Sequence, residues 1–430
     1  MERLLVDQLT EHVGERVRVA GWLHQVRALG GVTFVLIRDR SGIVQAVFDR
    51  EPEALAGLQV ETIVDVTGTV VGEPRASLGV ELHSADVSVI SPVAETLPFA
   101  VNKKVLTPAL DTFLDHAPVG LRHATKQATF RIVAAMAQAL RQAFITRGCT
   151  EIFTPKLVAG ATEGGANLFP VSYFEREAFL AQSPQLYKET MVGVFERVFE
   201  IAPVFRAEPH ATTRHLNEYV SVDVEIGFVA DHRTVMTFLQ SSLAAAFAAL
   251  AEAHAADLAT LGVTVPVVGE IPAIHFRDAL QLIYERHGED ARHEPDLAPQ
   301  HERWLCEWAM AEHGSPFLFV THYPTVKRPF YTMPDPTNAT YTNSFDLLFR
   351  GLEVTTGGQR IHSYPQLLAS MARFGVPQEP FAGYLEAFRY GMPPHGGFAI
   401  GLERLVGQLF GVRNVRETTL FPRDVHRLTP

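Results

Sequence analysis

Hydrophobic and polar positions along the chain follow two different rhythms. From Arg16 to Ile90 the stretches "RVRVAGWL", "GVTFVLIRD", "GIVQAVF", "TIVDVTGTVV" and "VELHSADVSVI" alternate or run β-branched, with Gly, Ser, Pro and acidic turns between them. Five such strands fit a small barrel, and a five-stranded oligonucleotide-binding barrel is one candidate. The segment "SPVAETLPFAVNKK", with two prolines and a basic end, reads as a linker. After it the period lengthens. Ile132, Met136, Ala139, Leu140, Ala143 and Phe144 fall on one face of a helix that stops at Gly148. A second domain mixing helices with long strands therefore starts near residue 120. Residues 231–315 are mostly helical and Ala-rich, interrupted by "LGVTVPVVGEIP", and show no chemistry. Strands return in "PFLFVTHYP" and "NSFDLLFRGLEV", and a helix from about residue 402 places Leu402, Leu405, Val406, Leu409 and Phe410 at helical spacing.

Three polar constellations interrupt this pattern. "FRAEPHATTRHLNEY", residues 205–219, packs charged groups between two apolar runs. In the strand that follows, Val220, Val222, Val224, Ile226 and Phe228 fall on one face, and Tyr219, Ser221, Asp223 and Glu225 on the other. "VFEIAPVFRAE" supplies a preceding strand, so Pro209–Arg214 joins an antiparallel pair. The polar face then needs water or a ligand to cover it, a solvated sheet face being the plain alternative. The second constellation, "DLLFRGLEVTTGGQRIH", sets Asp346 and Glu353 before Arg360; two carboxylates near a phosphate-binding arginine suit Mg²⁺. The third, "GGFAIGLERL", puts glycines where a strand could approach a flat ligand. Arg404 follows in the first turn of a helix, where phosphate is favoured by side chain and dipole together; packing at a strand–helix turn explains the same glycines. Neither a GxxxxGK[ST] nor a GxGxxG string occurs, so a nucleotide would be held by neither of those loops.

Composition narrows the picture only a little. The chain has 430 residues, 47% hydrophobic and 20% charged, long enough for two or three domains. A net charge of −11 argues against a simple nucleic-acid coat. Locally the balance reverses, with Arg16, Arg18, Arg27, Arg38, Arg40 and Arg50 against Glu15, Asp39 and Asp49. Cys149 and Cys306 are too few for a disulfide framework or a zinc cluster. "MERLLVDQLT" lacks a signal-peptide pattern. No uncharged apolar run approaches the ~18 residues of a membrane span. A soluble cytoplasmic protein with no membrane association is expected.

These motifs, in this order, resemble class II aminoacyl-tRNA synthetases, most closely the aspartyl enzymes of the short, archaeal-type branch. "FRIVAAMAQALRQAFITRGCTEIFTP" looks like the first motif, residues 200–228 like the second and "GGFAIGLER" like the third. The resemblance runs from about residue 14 to 428 and includes "TEGGANLF", "LAQSPQLYKE", "RHLNEY", "GGQRIH" and "LFPRD". It implies an α+β chain: an N-terminal OB-fold barrel (1–95) binding the anticodon, a linker (96–120), and a catalytic domain (121–430) built on an antiparallel sheet flanked by helices. Motif 1 would span about 130–155, the helical insertion 231–315 and motif 3 about 395–410. The length leaves no room for the large extra domain of longer bacterial aspartyl enzymes.

The resemblance also implies roles. Arg206 would hold the ATP α-phosphate and Arg404 the γ-phosphate, as the catalytic residues. Tyr219, where the family usually has Phe, would stack on adenine, with Glu208, Arg214, His215, Glu353 and Gly401 completing the ATP site. Asp346 and Glu353, with Thr356, would bind Mg²⁺. Lys188 and Arg360 would hold the side-chain carboxylate of aspartate, Asp223 and Gln185 its ammonium group. Ser183 would line that pocket and Glu163 lie on the loop that closes it. Phe34, with Arg27 and Gln45, would meet the anticodon. His24 and Pro74 resemble residues of relaxed enzymes that charge tRNA(Asn) as well as tRNA(Asp) and feed an amidotransferase. A homodimer would form through motif 1. Three alternatives remain open: an asparaginyl enzyme, which typically reads "SGQLY" and lacks the lysine; a non-catalytic tRNA-binding paralogue; and a single-strand-binding barrel fused to a helper domain.

Overall fold

The alternating segments of residues 16–90 close into a barrel in the order β1–β2–β3–β5–β4, formed by β1 (Arg16–Leu29), β2 (Val32–Arg38), β3 (Ile43–Phe48), β4 (Ile63–Gly72) and β5 (Val80–Ser91). Every second side chain points inward, and Val17, Val19, Val35, Ile37, Val44, Val64, Val66 and Leu82 fill the interior. The computed structural model describes residues 1–160 and 167–430. It contains two units, Met1–His123 and Ala124–Pro430. The first continues beyond the barrel through α1 (Leu110–Asp115) and α2 (Ala117–Gly120), where Phe113, Leu114 and Ala117 are buried.

The arginine excess of residues 16–50 is smaller in space than in sequence. Arg16 pairs with Asp86 at 2.6 Å, Arg18 with Asp65, and Arg38 with Glu61 at 2.9 Å. The acids come from β4, β5 and the approach to β4, outside the window in which the arginines cluster. These three arginines therefore do not form a free basic face, although the local balance of charge in the sequence is positive. Arg27, Arg40 and Arg50 remain exposed.

The second unit opens with α3 (Ala124–Thr146), whose buried face carries Ile132, Met136, Leu140, Ala143 and Phe144 at the expected spacing. Behind it lies an eight-stranded sheet in the order β12–β13–β14–β15–β16–β11–β10–β6. In chain order these strands are β6 (Thr150–Glu151), β10 (Arg197–Phe205), β11 (Glu218–Gly227), β12 (Ala273–His275), β13 (Phe317–Thr321), β14 (Ser344–Phe349), β15 (Leu352–Gln359) and β16 (His395–Gly401). Its centre is antiparallel and only the outermost pairs, β12–β13 and β10–β6, run parallel. A small sheet of β7 (Leu157–Val158), β8 (Pro170–Tyr173) and β9 (Arg176–Leu180) leads into α4 (Gln185–Phe195).

Helices α5 (His232–Ala253) and α6 (Ala255–Leu261) follow β11; α7 (Phe276–His287) and α8 (Pro299–His313) precede β13. By length and composition α5 could cross a membrane. Its Val235, Leu239, Leu243, Ala246, Phe247 and Leu250 instead pack in the main core with α3 and the sheet, which accounts for its hydropathy. The chain ends with α9 (Tyr364–Phe374), α10 (Ala382–Arg389) and α11 (Leu402–Phe410).

One face of β11 follows the sequence reading: Val222, Val224 and Ile226 are buried in that core. Phe228 does not join them. β11 ends at Gly227, and Phe228 turns out with φ 57° and 69% exposure. The opposite face is not left to water either. Ser221, Asp223 and Glu225 are 4%, 1% and 0% exposed, so the protein must itself satisfy two buried carboxylates.

Candidate active site

The polar face of β11 divides into a wet end and a dry end. At the wet end, β10 and β11 pair from Phe205–Glu218 onward, leaving residues 206–217 as the connecting loop. The amide of Asn217 ties that loop to its own start, donating to Arg206 O at 2.6 Å and Glu208 O at 3.1 Å. A cavity of about 300 Å³ opens here, with Arg206, Arg214 and Arg404 converging on it and Tyr219 in its wall. The Arg206 guanidinium lies 5.8 Å from the Tyr219 ring centre. Arg404 stands in the first turn of α11 directly after Gly401, and its Nη1 donates to Glu353 O at 3.4 Å and lies 3.9 Å from Glu353 Oε1. Three arginines and a helix N-terminus facing one hollow make it a polyanion site.

His215 and Glu208 line the same hollow, 3.9 Å apart. Burial and the Arg404 charge lower the His215 pKa, leaving a neutral ring at pH 7. Glu403, beside Arg404, receives the Val220 N–H at 3.0 and 3.2 Å through its two oxygens, anchoring α11 to β11. Burial pushes its carboxyl up to about 7.

Around the corner, β14 and β15 bring Asp346 opposite Thr356 and Leu348 opposite Glu353. Asp346 and Glu353 share a second cavity, about 260 Å³, with Arg214 and Glu302. Thr356 donates to Glu353 Oε1 at 3.0 Å. Arg328 donates to Asp346 at 2.8 Å. Burial and the Glu353 charge nevertheless hold the Asp346 carboxyl up at about 6, against the pull of Arg328. Glu353 goes the other way: burial raises it, but Arg404 and the Thr356 hydroxyl outweigh that and keep it ionised. Glu302 accepts from Arg214 Nη2 at 2.8 and 3.1 Å and from Glu353 N at 2.9 Å. It comes from α8, inside the stretch that shows no chemistry in sequence. A glutamate on a helix is too common to stand out, and only the fold brings it under Arg214.

At the dry end, Lys188 of α4 reaches the sheet with a side chain 1% exposed. Its Nζ lies 2.9 Å from Asp223 Oδ1, 3.5 Å from Glu225 Oε2 and 3.1 Å from Phe398 O. Arg360 donates to Glu225 Oε1 at 3.0 Å and to Gly397 O at 3.1 Å. Burial disfavours its charge, but Glu225 and Glu189 more than compensate and raise its pKa. The two cations expected at an acidic side chain thus stand together, each compensated by a buried carboxylate. Ser221 donates to the other Asp223 oxygen at 2.6 Å. Ser183 Oγ accepts from Gln185 N at 3.2 Å, and the Gln185 amide donates to Glu189 at 2.7 Å. Glu163 lies outside the described residues. The structure adds Glu189, Glu225, His395 and Arg328 to the site. In sequence, Glu225 is legible only as a member of the polar face of β11 and Glu189 only by its i,i+4 spacing from Gln185 on α4; His395 and Arg328 carry no signal.

The glycines of "GGFAIG" divide in purpose. A Cβ on Gly397 would collide with Val224 O and the Glu225 carboxylate, and one on Gly396 would meet Gly358 O at 2.7 Å. These two make room for the strand neighbours and the Arg360–Glu225 pair, so of the two readings open in the sequence they follow packing and not approach to a ligand. Gly401 alone faces the open cleft, its nearest side chain Arg404 at 3.7 Å.

On the barrel, Phe34 is half-buried on the outer face of β2, next to Arg27 of β1 in register, and Leu36 pairs with Gln45 of β3. Arg27 is exposed and donates to Gln25 at 2.7 Å, while Gln45 donates to Glu81 at 2.6 Å. His24 sits at an irregularity of β1, half-buried, and burial lowers its pKa. Pro74 is exposed in the β4–β5 connection.

Comparison with known proteins agrees with this arrangement. Residues 110–425 match the family described as "tRNA synthetases class II (D, K and N)", and residues 17–90 match "OB-fold nucleic acid binding domain". The chain is 46% identical over 436 residues to a Deinococcus radiodurans protein named "Aspartate--tRNA(Asp/Asn) ligase", covering 100% of this chain and 99% of that one. It is 41% identical over 434 residues to a Thermococcus kodakarensis protein named "Aspartate--tRNA(Asp) ligase", covering 99% and 98%. The solved asparaginyl-tRNA synthetase of Pyrococcus horikoshii, complexed with asparaginyl-adenylate, superposes over 100% of both chains with a TM-score of 0.93 at 30% identity. With its eight-stranded sheet, its arginine-lined cleft and its N-terminal barrel, the chain belongs to the class II aminoacyl-tRNA synthetases, the ligases that use ATP to attach an amino acid to tRNA.

Proposed function

We propose that the protein activates L-aspartate with ATP and transfers it to the 3′-terminal adenosine of tRNA(Asp), and of tRNA(Asn) as well. The observation that carries the amino acid is Lys188. A side chain 1% exposed, beside Arg360, gives the dry end of the site two fixed cations where a neutral amide needs none. In this reading they hold the substrate's side-chain carboxylate, while Asp223 and the Gln185 carbonyl take its ammonium group and Ser183 lines the pocket. Arg206 holds the α-phosphate, Arg404 the γ-phosphate and Tyr219 the adenine, with Glu208, Arg214 and His215 around them. The substrate carboxylate attacks the α-phosphorus in line and pyrophosphate leaves. Positioning and charge stabilisation suffice without a protein nucleophile.

Asp346, Glu353 and Thr356 would hold Mg²⁺. Their oxygens suit a hard cation, and the two carboxylates share the second cavity. Among the described residues no cluster could hold a metal unaided, so phosphate oxygens would complete the set. When bound, the ion neutralises phosphate charge. The barrel, with Phe34, Arg27 and Gln45, reads the anticodon. His24, Pro74 and the "Asp/Asn" name of the Deinococcus relative favour relaxed tRNA choice, with an amidotransferase downstream. A homodimer through residues 130–155 and a cytoplasmic location belong to the same reading.

The test is ATP–pyrophosphate exchange with aspartate and asparagine side by side, with Mg²⁺ and without tRNA. Exchange with aspartate alone is expected; exchange with asparagine alone overturns the reading of Lys188. Charging of purified tRNA(Asp) and tRNA(Asn) then decides the second step.

A further inference from the structure

The dry end of the site holds one more charge than the roles above use. His395, at the start of β16, and Glu189, one residue after Lys188 on α4, are both 0% exposed. His395 Nδ1 faces Pro393 O at 2.9 Å, and Nε2 faces Glu189 Oε2 at 3.3 Å. A carbonyl oxygen only accepts. Glu189 accepts as well: Oε1 from the Gln185 amide and Oε2 from the Tyr384 hydroxyl, both at 2.7 Å. With an acceptor opposite each ring nitrogen, the ring donates from both, and a ring that does so is an imidazolium. Because the carboxylate offers no donor, the Gln185 NH₂ must face it, leaving the amide oxygen as that side chain's acceptor.

We propose that His395 is a positioning residue which makes the amino-acid pocket selective for an acidic side chain, by standing as a buried cation behind Glu189 and Gln185. The proposal rests on the aspartate reading and deepens it. Asp223 and Glu225 contact the two cations Lys188 and Arg360 directly, and a third carboxylate, Glu189, lies within electrostatic reach of Arg360. Without His395 that set is net negative before any substrate enters and would repel a further carboxylate. With the imidazolium it is neutral. Aspartate adds a negative charge to the pocket and asparagine adds none, so the histidine charge favours one over the other. Arg360 N also donates to His395 O at 2.8 Å, tying the arginine's backbone to the same residue.

Glu189 from α4, Glu225 from β11 and His362 after β15 face His395, while Tyr384 from α10 and the Arg360 side chain act on it through Glu189. Burial opposes the imidazolium, but Glu189, Glu225 and Pro393 O outweigh it and raise the pKa. A raised histidine pKa means the cation is present at low pH and lost as pH rises through it. Aspartate binding should therefore weaken as pH rises through that raised value, which lies above the ordinary histidine range.

The experiment measures KM for aspartate and for asparagine in pyrophosphate exchange from about pH 6 to 8.5. It compares wild type, His395→Gln, and the double variant His395→Gln/Glu189→Gln. His395→Gln is expected to raise KM for aspartate about tenfold, with kcat and KM for ATP within about twofold, and to flatten the alkaline rise. The double variant removes one positive and one negative charge together and should return KM to within about threefold of wild type. Unchanged KM and pH profile in His395→Gln overturns the proposal. So does a double variant as impaired as the single one, which would mean a packing role. If His395→Gln does not fold, Glu189→Gln alone is the second variant. It leaves the imidazolium with one carboxylate fewer and should lower KM for aspartate relative to asparagine; an unchanged or raised KM for aspartate overturns the proposal. Absence of aspartate-dependent exchange in the wild type would instead overturn the aspartate reading itself.

Discussion

Lys188 Nζ lies 2.9 Å from Asp223 Oδ1, with the two side chains 1% and 2% exposed. A pair so buried is costly to break, because truncating one partner leaves the other charged and dry. Lys188→Ala should lower unfolding free energy by about 3–5 kcal/mol, read by urea denaturation. The double variant Lys188→Met/Asp223→Asn should recover most of that loss without restoring exchange. A single variant as stable as wild type would mean the pair is open to solvent.

Arg206 leaves β10 at the mouth of the cleft, its guanidinium against Tyr219. Removing a cation that meets charge developing on a phosphate typically costs about 100-fold or more in rate. Arg206→Ala should therefore abolish pyrophosphate exchange while filter-binding affinity for tRNA stays within about twofold. Exchange at the wild-type rate would sink the α-phosphate role.

Glu302 reaches the second cavity from α8 and there meets Arg214 and the Glu353 backbone. Glu302→Gln keeps a hydrogen bond but drops the charge that holds the guanidinium. KM for ATP should rise about five- to tenfold, with kcat less affected. Equal losses in kcat and kcat/KM would point to a contact made only in the transition state.

Glu403 carries a carboxyl raised from 4.5 to about 7 by burial, so its protonated form belongs to the folded state. That contribution to stability is complete below the ordinary carboxylate pKa and is lost as pH rises through 7. Glu403→Gln stays neutral and keeps an acceptor for Val220 N. Its stability relative to wild type should therefore grow from pH 4.5 to 7 and then level off, by up to about 3 kcal/mol. Thermal melts across that range give the curve, and a constant difference would exclude the raised carboxyl.

Phe34 is half-buried on the outer face of the barrel, beside Arg27. If it stacks on a base, Phe34→Ala should weaken tRNA binding by about 1–3 kcal/mol. Pyrophosphate exchange without tRNA should be unchanged. A loss in the melting of the barrel with no loss in tRNA affinity would mark Phe34 as packing only.

The period of the chain carried much of this protein by itself. Alternation specified the five barrel strands, and the buried face of α3 follows the helical spacing, because both periods are local properties of the backbone. The strings around Arg206, Asp346, Arg360 and Arg404 exposed the family, since they stand along the chain in the order in which that family carries its motifs. Tertiary structure decided which charges meet. Arg16, Arg18 and Arg38 are balanced by acids from other parts of the barrel, and Glu302 comes to Arg214 from a helix with no visible motif. Gly397 is a glycine because Glu225 of the neighbouring strand fills the space of its Cβ. His395 is charged because Pro393 O and Glu189 stand at its two nitrogens. Each of these depends on groups far apart in sequence entering one low-dielectric space, where an unpaired charge is expensive and the partner fixes the protonation state.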